Sequence, residues 1–82
     1  GKFDRGDISG LRINNKRLVV ECKNYGGKIL TGPWLNEAET ERVNDGAIAG
    51  LVIAKRKGTT NPAEQIVLMT LRDFAALVNS GN

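Results

Sequence analysis

Gly6-Asp7-Ile8-Ser9-Gly10 and, after a short turn, Leu18-Val19-Val20-Glu21-Cys22-Lys23 are the two stretches whose reading decides this chain. Asn14-Asn15-Lys16 lies between them and carries a turn signal, because Asn tolerates left-handed backbone. Residues 7–13 and 17–23 therefore read as an antiparallel hairpin rich in β-formers. Strand side chains alternate between faces. On the second strand Leu18, Val20 and Cys22 share one face, expected to be core, while Val19, Glu21 and Lys23 share the other, expected to carry chemistry. With a loop of Asn14 to Lys16, Ile13 faces Arg17, Asp7 faces Lys23 and Ser9 faces Glu21. Asp7, Glu21 and Lys23 then lie on one face at one end of the hairpin. A two-residue loop shifts the pairing by one and puts Asp7 on the wrong side. Convergence of the three thus predicts an odd-numbered loop or a bulge.

Working outward, residues 24–32 read as a loop with Gly-rich spots. A helix is expected from near Pro33, with Thr31 or Gly32 as cap, since proline suits a first turn. Trp34, Leu35, Ala38, Val43 and Ala47 give it a narrow apolar stripe, and Gly46 is a left-handed stop. Residues 49–55 read as a strand buried on both faces. Arg56 to Pro62 is a basic polar loop, and residues 65–70 a fourth strand. Residues 71–78 form a closing helix capped by Thr70, with Leu71, Phe74, Ala75, Leu77 and Val78 as its apolar side. The expected order is β-β-α-β-β-α, a single α/β domain over residues 1–82 around one mixed sheet.

The chain has 82 residues, a formal net charge of +3, no histidine and one cysteine, Cys22. An intrachain disulfide is impossible, and a zinc site or a triad built on histidine is excluded. No apolar stretch approaches the roughly 20 residues that cross a bilayer. The charged start Gly1-Lys2-Phe3-Asp4-Arg5 lacks a signal peptide's apolar stretch, so a cytoplasmic location is expected. Positive charge is segregated: one group crowds the first third, a second is Lys55-Arg56-Lys57, and Glu37, Glu39, Glu41 and Asp45 lie between. Such segregation suits a polyanion, although ordinary solvated surface charge has the same composition.

Two carboxylates and an ammonium on adjacent strands are what a Mg²⁺-dependent (or Mn²⁺-dependent) phosphodiesterase needs. Carboxylates hold a hard cation through oxygen. The metal coordinates a phosphate oxygen and lowers the pKa of its water. Asp7 and Glu21 are the candidate ligands, with the Cys22 carbonyl as a further oxygen, and Lys23 orients water or offsets phosphate charge. An exposed strand end with a cross-strand ion pair is the plainer alternative.

The pattern Gly-Asp-Ile-x-Gly, then Val-Val-Glu-x-Lys-Asn, resembles the PD-(D/E)xK nuclease superfamily. Within it the chain is most similar to Holliday junction resolvase-like proteins of actinobacterial phages and prophages. Trp34-Leu35-x-Glu37-Ala38-Glu39, Asn44-Asp45-Gly46-Ala47, Lys55-Arg56-Lys57-Gly58 and Val67-Leu68-Met69 with Leu71 and Phe74 fit the same group. The resemblance implies a restriction-endonuclease-like fold and Mg²⁺-dependent cleavage of DNA, often branched. It carries over Asp7 and Glu21 as metal ligands and Lys23 as the catalytic lysine, and it suggests a homodimer. The chain departs from the superfamily pattern at its start, where six residues precede Asp7, too few for the usual opening helix.

Arg5, Lys28, Lys55, Arg56 and Lys57 are the candidate phosphate contacts; such contacts position a duplex without reading sequence. Arg12, Lys16 and Arg17 are weaker candidates at the hairpin end. Glu37, Glu41 and Asp45 share a helix face. Tyr25 and Trp34 are aromatic groups able to stack on a base, although packing at the helix start suits Trp34 better. The expected activity is that of a Mg²⁺-dependent DNA endonuclease. The alternatives are a non-catalytic DNA-binding module of the same fold and a structural or oligomerisation domain.

Overall fold

The computed structural model describes residues 7–8 and 11–80. Its elements are β1 (Asp7–Ile8), β2 (Arg12–Ile13), β3 (Lys16–Lys23), α1 (Thr31–Asp45), β4 (Ala49–Ala54), β5 (Ile66–Leu68) and α2 (Leu71–Ser80). The main sheet runs β1-β3-β4-β5, with β2 pairing to β3. β1, β2 and β5 are antiparallel to their neighbours, whereas β3 and β4 are parallel. A parallel pair needs a crossover, and α1 supplies it. The architecture is mixed α/β with two helices, in the expected element order except that the first strand is split in two.

The hairpin turn corrects the expected loop. Asn14 and Asn15 both have positive φ, at 48° and 65°, and Ile13 pairs with Lys16 rather than Arg17. This is a two-residue connection of the kind whose twist matches the flanking strands. Near the turn Arg12 pairs with Arg17, and Leu18 N–H donates to the Leu11 carbonyl at 3.0 Å. Farther along, Ile8 pairs with Val20 and Asp7 with Glu21, not Lys23. The β1–β3 register is therefore offset by one residue from the β2–β3 register, which reverses the parity shift that the short turn imposes. The expected pairing of Ser9 lies outside the described residues.

α1 begins at Thr31, two residues before the proline. Leu30 is its cap residue without a side-chain bond, and Pro33 sits in the first turn. Its end matches expectation: Gly46 is left-handed, its N–H donates to Val43, and Ala47 N–H donates to Arg42. That pair of bonds satisfies the last carbonyls.

The core corrects the assignment of faces. Trp34 and Ala38 of α1 pack with Val52 and Ala54 of β4, flanked by Ile29, Leu30, Ile66 and Leu68. Val52 and Ala54 pair in parallel register with Glu21 and Lys23. α1 therefore covers the face that carries Glu21 and Lys23, which the alternation pattern assigned to chemistry rather than to core. Val20 and Cys22, on the other face, are buried as well. Gly50 lets the helix come close: a Cβ there would stand 2.7 Å from the Ala38 carbonyl oxygen.

Two apolar stripes also depart from expectation. Val43 of α1 is exposed, and on α2 Leu71, Phe74 and Val78 are 79, 54 and 52 % exposed. α2 instead turns Asp73 inward, at 2 % exposure.

Candidate functional site

The site is built around the end of β3. Asp7 pairs with Glu21 across the β1–β3 ladder. Glu21 is buried at 6 % exposure, held beneath α1. Lys23 follows one strand period later, its side chain 12 % exposed, and its Nζ donates to Glu37 Oε1 of α1 at 2.7 Å. The hydrogen bond that Lys23 donates to Glu37 is the main cause that holds its ammonium above its ordinary pKa. The charges of Glu37, Glu21 and Tyr25 add to it, against the opposing effect of burial. Glu37 thus answers the question left open by its helix face: it reaches the lysine beside Glu21. Asp45, two turns on, pairs instead with Arg17 near the far end of β3.

The carbonyl of Lys23 accepts from Lys55 N–H at 2.9 Å. Carbonyls alternate along a strand, so the Cys22 carbonyl faces the β1 side, where Asp7 lies. The Cys22 side chain is buried and, as the chain's one cysteine, forms no intrachain disulfide. No group of three or more His, Cys, Asp or Glu side chains placed to hold a metal occurs among the described residues. The donor chemistry of the paired positions fits a hard cation: two carboxylates and a backbone oxygen, with no imidazole in the chain.

The basic residues divide. Arg5 lies outside the described residues. Lys28, Arg56 and Lys57 are exposed, whereas Lys55 is half-buried. The Lys55 ammonium donates to the carbonyls of Arg56 and Thr59, and Arg56 Nη1 donates to the Glu64 carbonyl at 3.2 Å. Two of the three residues in the Lys55–Lys57 cluster therefore brace their own loop. Two segments meet at this end of the sheet. A Cβ on Gly27, whose φ is +90°, would lie 2.7 Å from the Lys57 Cβ. That contact brings the loop after β3, with Lys28, against the loop after β4, with Lys57. Arg12 and Lys16 sit at the turn, at the opposite end of β3.

Residue-type reasoning did not single out Gln65. Its Oε1 accepts from Arg56 N–H at 2.7 Å, and its Nε2 donates to the carbonyls of Asn61 and Thr59. With Asn61 Oδ1 accepting from Ala63 N–H and Thr59 donating to Glu64, it makes the basic loop a fixed shape. The signal available in sequence was the Thr-Thr-Asn-Pro run, whose side chains bond locally to backbone. Lys23, Lys55 and Gln65, with Ile53, line a shallow depression at this end of the sheet.

Trp34 is core, as packing at a helix start requires, at 3 % exposure. Tyr25 is half exposed and leans on it, ring centroids 5.1 Å apart. No helix among the described residues is long and apolar enough to cross a membrane. Compared with known proteins, the chain matches no family model, no curated protein and no solved structure.

Proposed function

We propose that this chain is a metal-dependent DNA endonuclease of restriction-endonuclease-like fold that hydrolyses phosphodiester bonds, with branched DNA as its substrate class. The single observation that carries the reading is the β1–β3 register. It sets Asp7 opposite Glu21, with Lys23 one strand period beyond at the end of β3. The parallel β3–α1–β4 unit supports it too, because open α/β sheets bind ligands beyond the carboxyl ends of their strands. Lys23, Lys28 and Lys57 gather at that end.

Asp7 and Glu21, with the Cys22 carbonyl, would hold Mg²⁺ or Mn²⁺. Such an ion supplies Lewis acidity toward a phosphate oxygen and a water of lowered pKa. Lys23 remains an ammonium through the neutral range, since its pKa is raised by Glu37. It offers N–H donors to the phosphate and offsets the charge that grows there. Glu37 fixes its direction. Lys28 and Lys57, with Arg5 and Arg56, hold the backbone of the substrate, and Lys55 acts by shaping the loop.

A second copy of the chain is the proposed partner. In an antiparallel pair of α2 helices the exposed stripe would be self-complementary, with Leu71 opposite the partner's Val78 and Phe74 opposite the partner's Ala75. Isologous contacts of this kind close at two copies.

The test compares the wild type with Lys23→Ala on a four-way junction and a linear duplex, in Mg²⁺, Mn²⁺ and EDTA. The expected result is metal-dependent nicking that falls by about 10²- to 10³-fold in the variant, with the circular dichroism spectrum unchanged. Equal nicking by both proteins would refute the role of Lys23. Binding that persists in EDTA with no nicking in either metal would favour a binding module. Absence of salt-dependent DNA affinity would favour a structural domain, since phosphate contacts weaken steeply with salt.

A further inference from the structure

Tyr25 combines three properties that a loop tyrosine rarely shows together. It is half exposed, yet its ring makes a tilted contact with the buried indole of Trp34, with centroids 5.1 Å apart and planes at 59°. It opens a tight turn: Lys28 N–H donates to the Tyr25 carbonyl at 3.1 Å, and Gly26 and Gly27 both have positive φ, at 64° and 90°. The turn is locked from outside as well, because Gly27 abuts Lys57 of the opposite loop with no space for a side chain. The ring therefore stands on a braced turn, two residues past Lys23, that also carries the exposed Lys28 and abuts the exposed Lys57. It is also close enough to Lys23 to contribute to that lysine's raised pKa.

An aromatic ring with one side packed and the other wet offers a stacking surface to any base, because every base has a π face. Flanking cations hold the phosphates on either side of such a base. A base inside a continuous duplex is already stacked on both sides and is not available to it. We infer that Tyr25 is a stacking platform for an unpaired nucleobase, and that the site takes DNA in which a base beside the bound phosphate has left the duplex stack. This inference rests on the endonuclease reading and narrows its substrate to single strands and to branch points with an unstacked base.

The experiment measures binding, not cleavage, so metal and catalysis do not enter. Fluorescence anisotropy in EDTA at low salt compares a labelled single-stranded oligo-dT with a blunt duplex of equal length, for wild type, Tyr25→Phe and Tyr25→Leu. Stacking is worth about 1–3 kcal/mol per base, which corresponds to a factor of about 5 to 150. The wild type and Tyr25→Phe should bind the single strand alike. Tyr25→Leu should lose about that factor on the single strand and keep its duplex affinity. Trp34 is the only tryptophan, so its emission in the wild-type protein should change as the single strand is added, a readout that needs no variant. Equal single-strand affinity in all three proteins, or unchanged Trp34 emission at saturation, would overturn the inference while leaving DNA cleavage open. Failure of the wild type to bind either DNA would overturn both readings.

Discussion

A buried carboxylate is tolerated when its oxygens are bonded, and Asp73 shows how. Its Oδ2 accepts from Gly50 N–H at 2.9 Å, and its Oδ1 accepts from Arg72 Nη1 at 2.8 Å. Its own N–H donates to Thr70 Oγ1, closing the cap of α2. Gly50 needs this help because β5 pairs with β4 only from Val52 onward. Asp73 takes the place of the missing ladder partner. Asp73→Ala strands the Gly50 N–H, and we expect a loss of about 1–3 kcal/mol, read as a lower urea midpoint at unchanged slope. Asp73→Asn keeps an acceptor and should lose less. In sequence Asp73 resembles an ordinary acidic residue of a helix first turn, and nothing in its spacing marks it as buried.

At the scale of elements, α1 is closed at its end by Arg42. The guanidinium grips Glu39 through two bonds, at 2.8 and 2.7 Å, and reaches the Ala47 carbonyl at 3.2 Å. The hydrogen bond from Arg42 pulls the Glu39 carboxyl below the usual glutamate range. A depressed folded-state pKa contributes stability that is whole above the ordinary value and is lost as pH falls through the folded one. Glu39→Gln should therefore melt below the wild type near neutral pH, and the difference should close in acid as pH falls below the ordinary glutamate range and through the lowered one. Thermal melts across that range check it. α2 offers a different test. Its stripe of Leu71, Phe74, Ala75 and Val78 has helical spacing, and the apolar pattern promised burial that the single chain does not give. Phe74→Glu should leave the fold intact and turn a dimer into a monomer, measured by sedimentation. A wild type that sediments as a monomer at high concentration would remove the proposed partner.

Across the whole molecule, what was legible followed from period and punctuation. The alternation of β3, the helical stop at Gly46 and the cap at Thr70 gave the element order. Parity left an odd-numbered loop or a bulge as the options, and the two-residue turn at Asn14 and Asn15 removes the first. Three things were hidden. The face that α1 covers could not be read, since both faces of β4 are apolar and the stripe on α1 is narrow. The partner of Glu37 depended on that face. The division of labour among Lys55, Arg56 and Lys57 depended on carbonyls that a loop of local side-chain bonds turns toward them. The roles assigned to Asp7, Glu21 and Lys23 rest on register and chemistry, and await the nicking experiment.

Gly50 joins these scales. It has no side chain, and for that reason α1 lies low over the sheet there. The reach between Glu37 and Lys23 is set by that height, though neither residue touches position 50. A single methyl group added at the glycine would raise the helix like a shim under a beam and slacken the grip on the lysine from a distance. Substitutions that tune this corner of the protein need not be found in it.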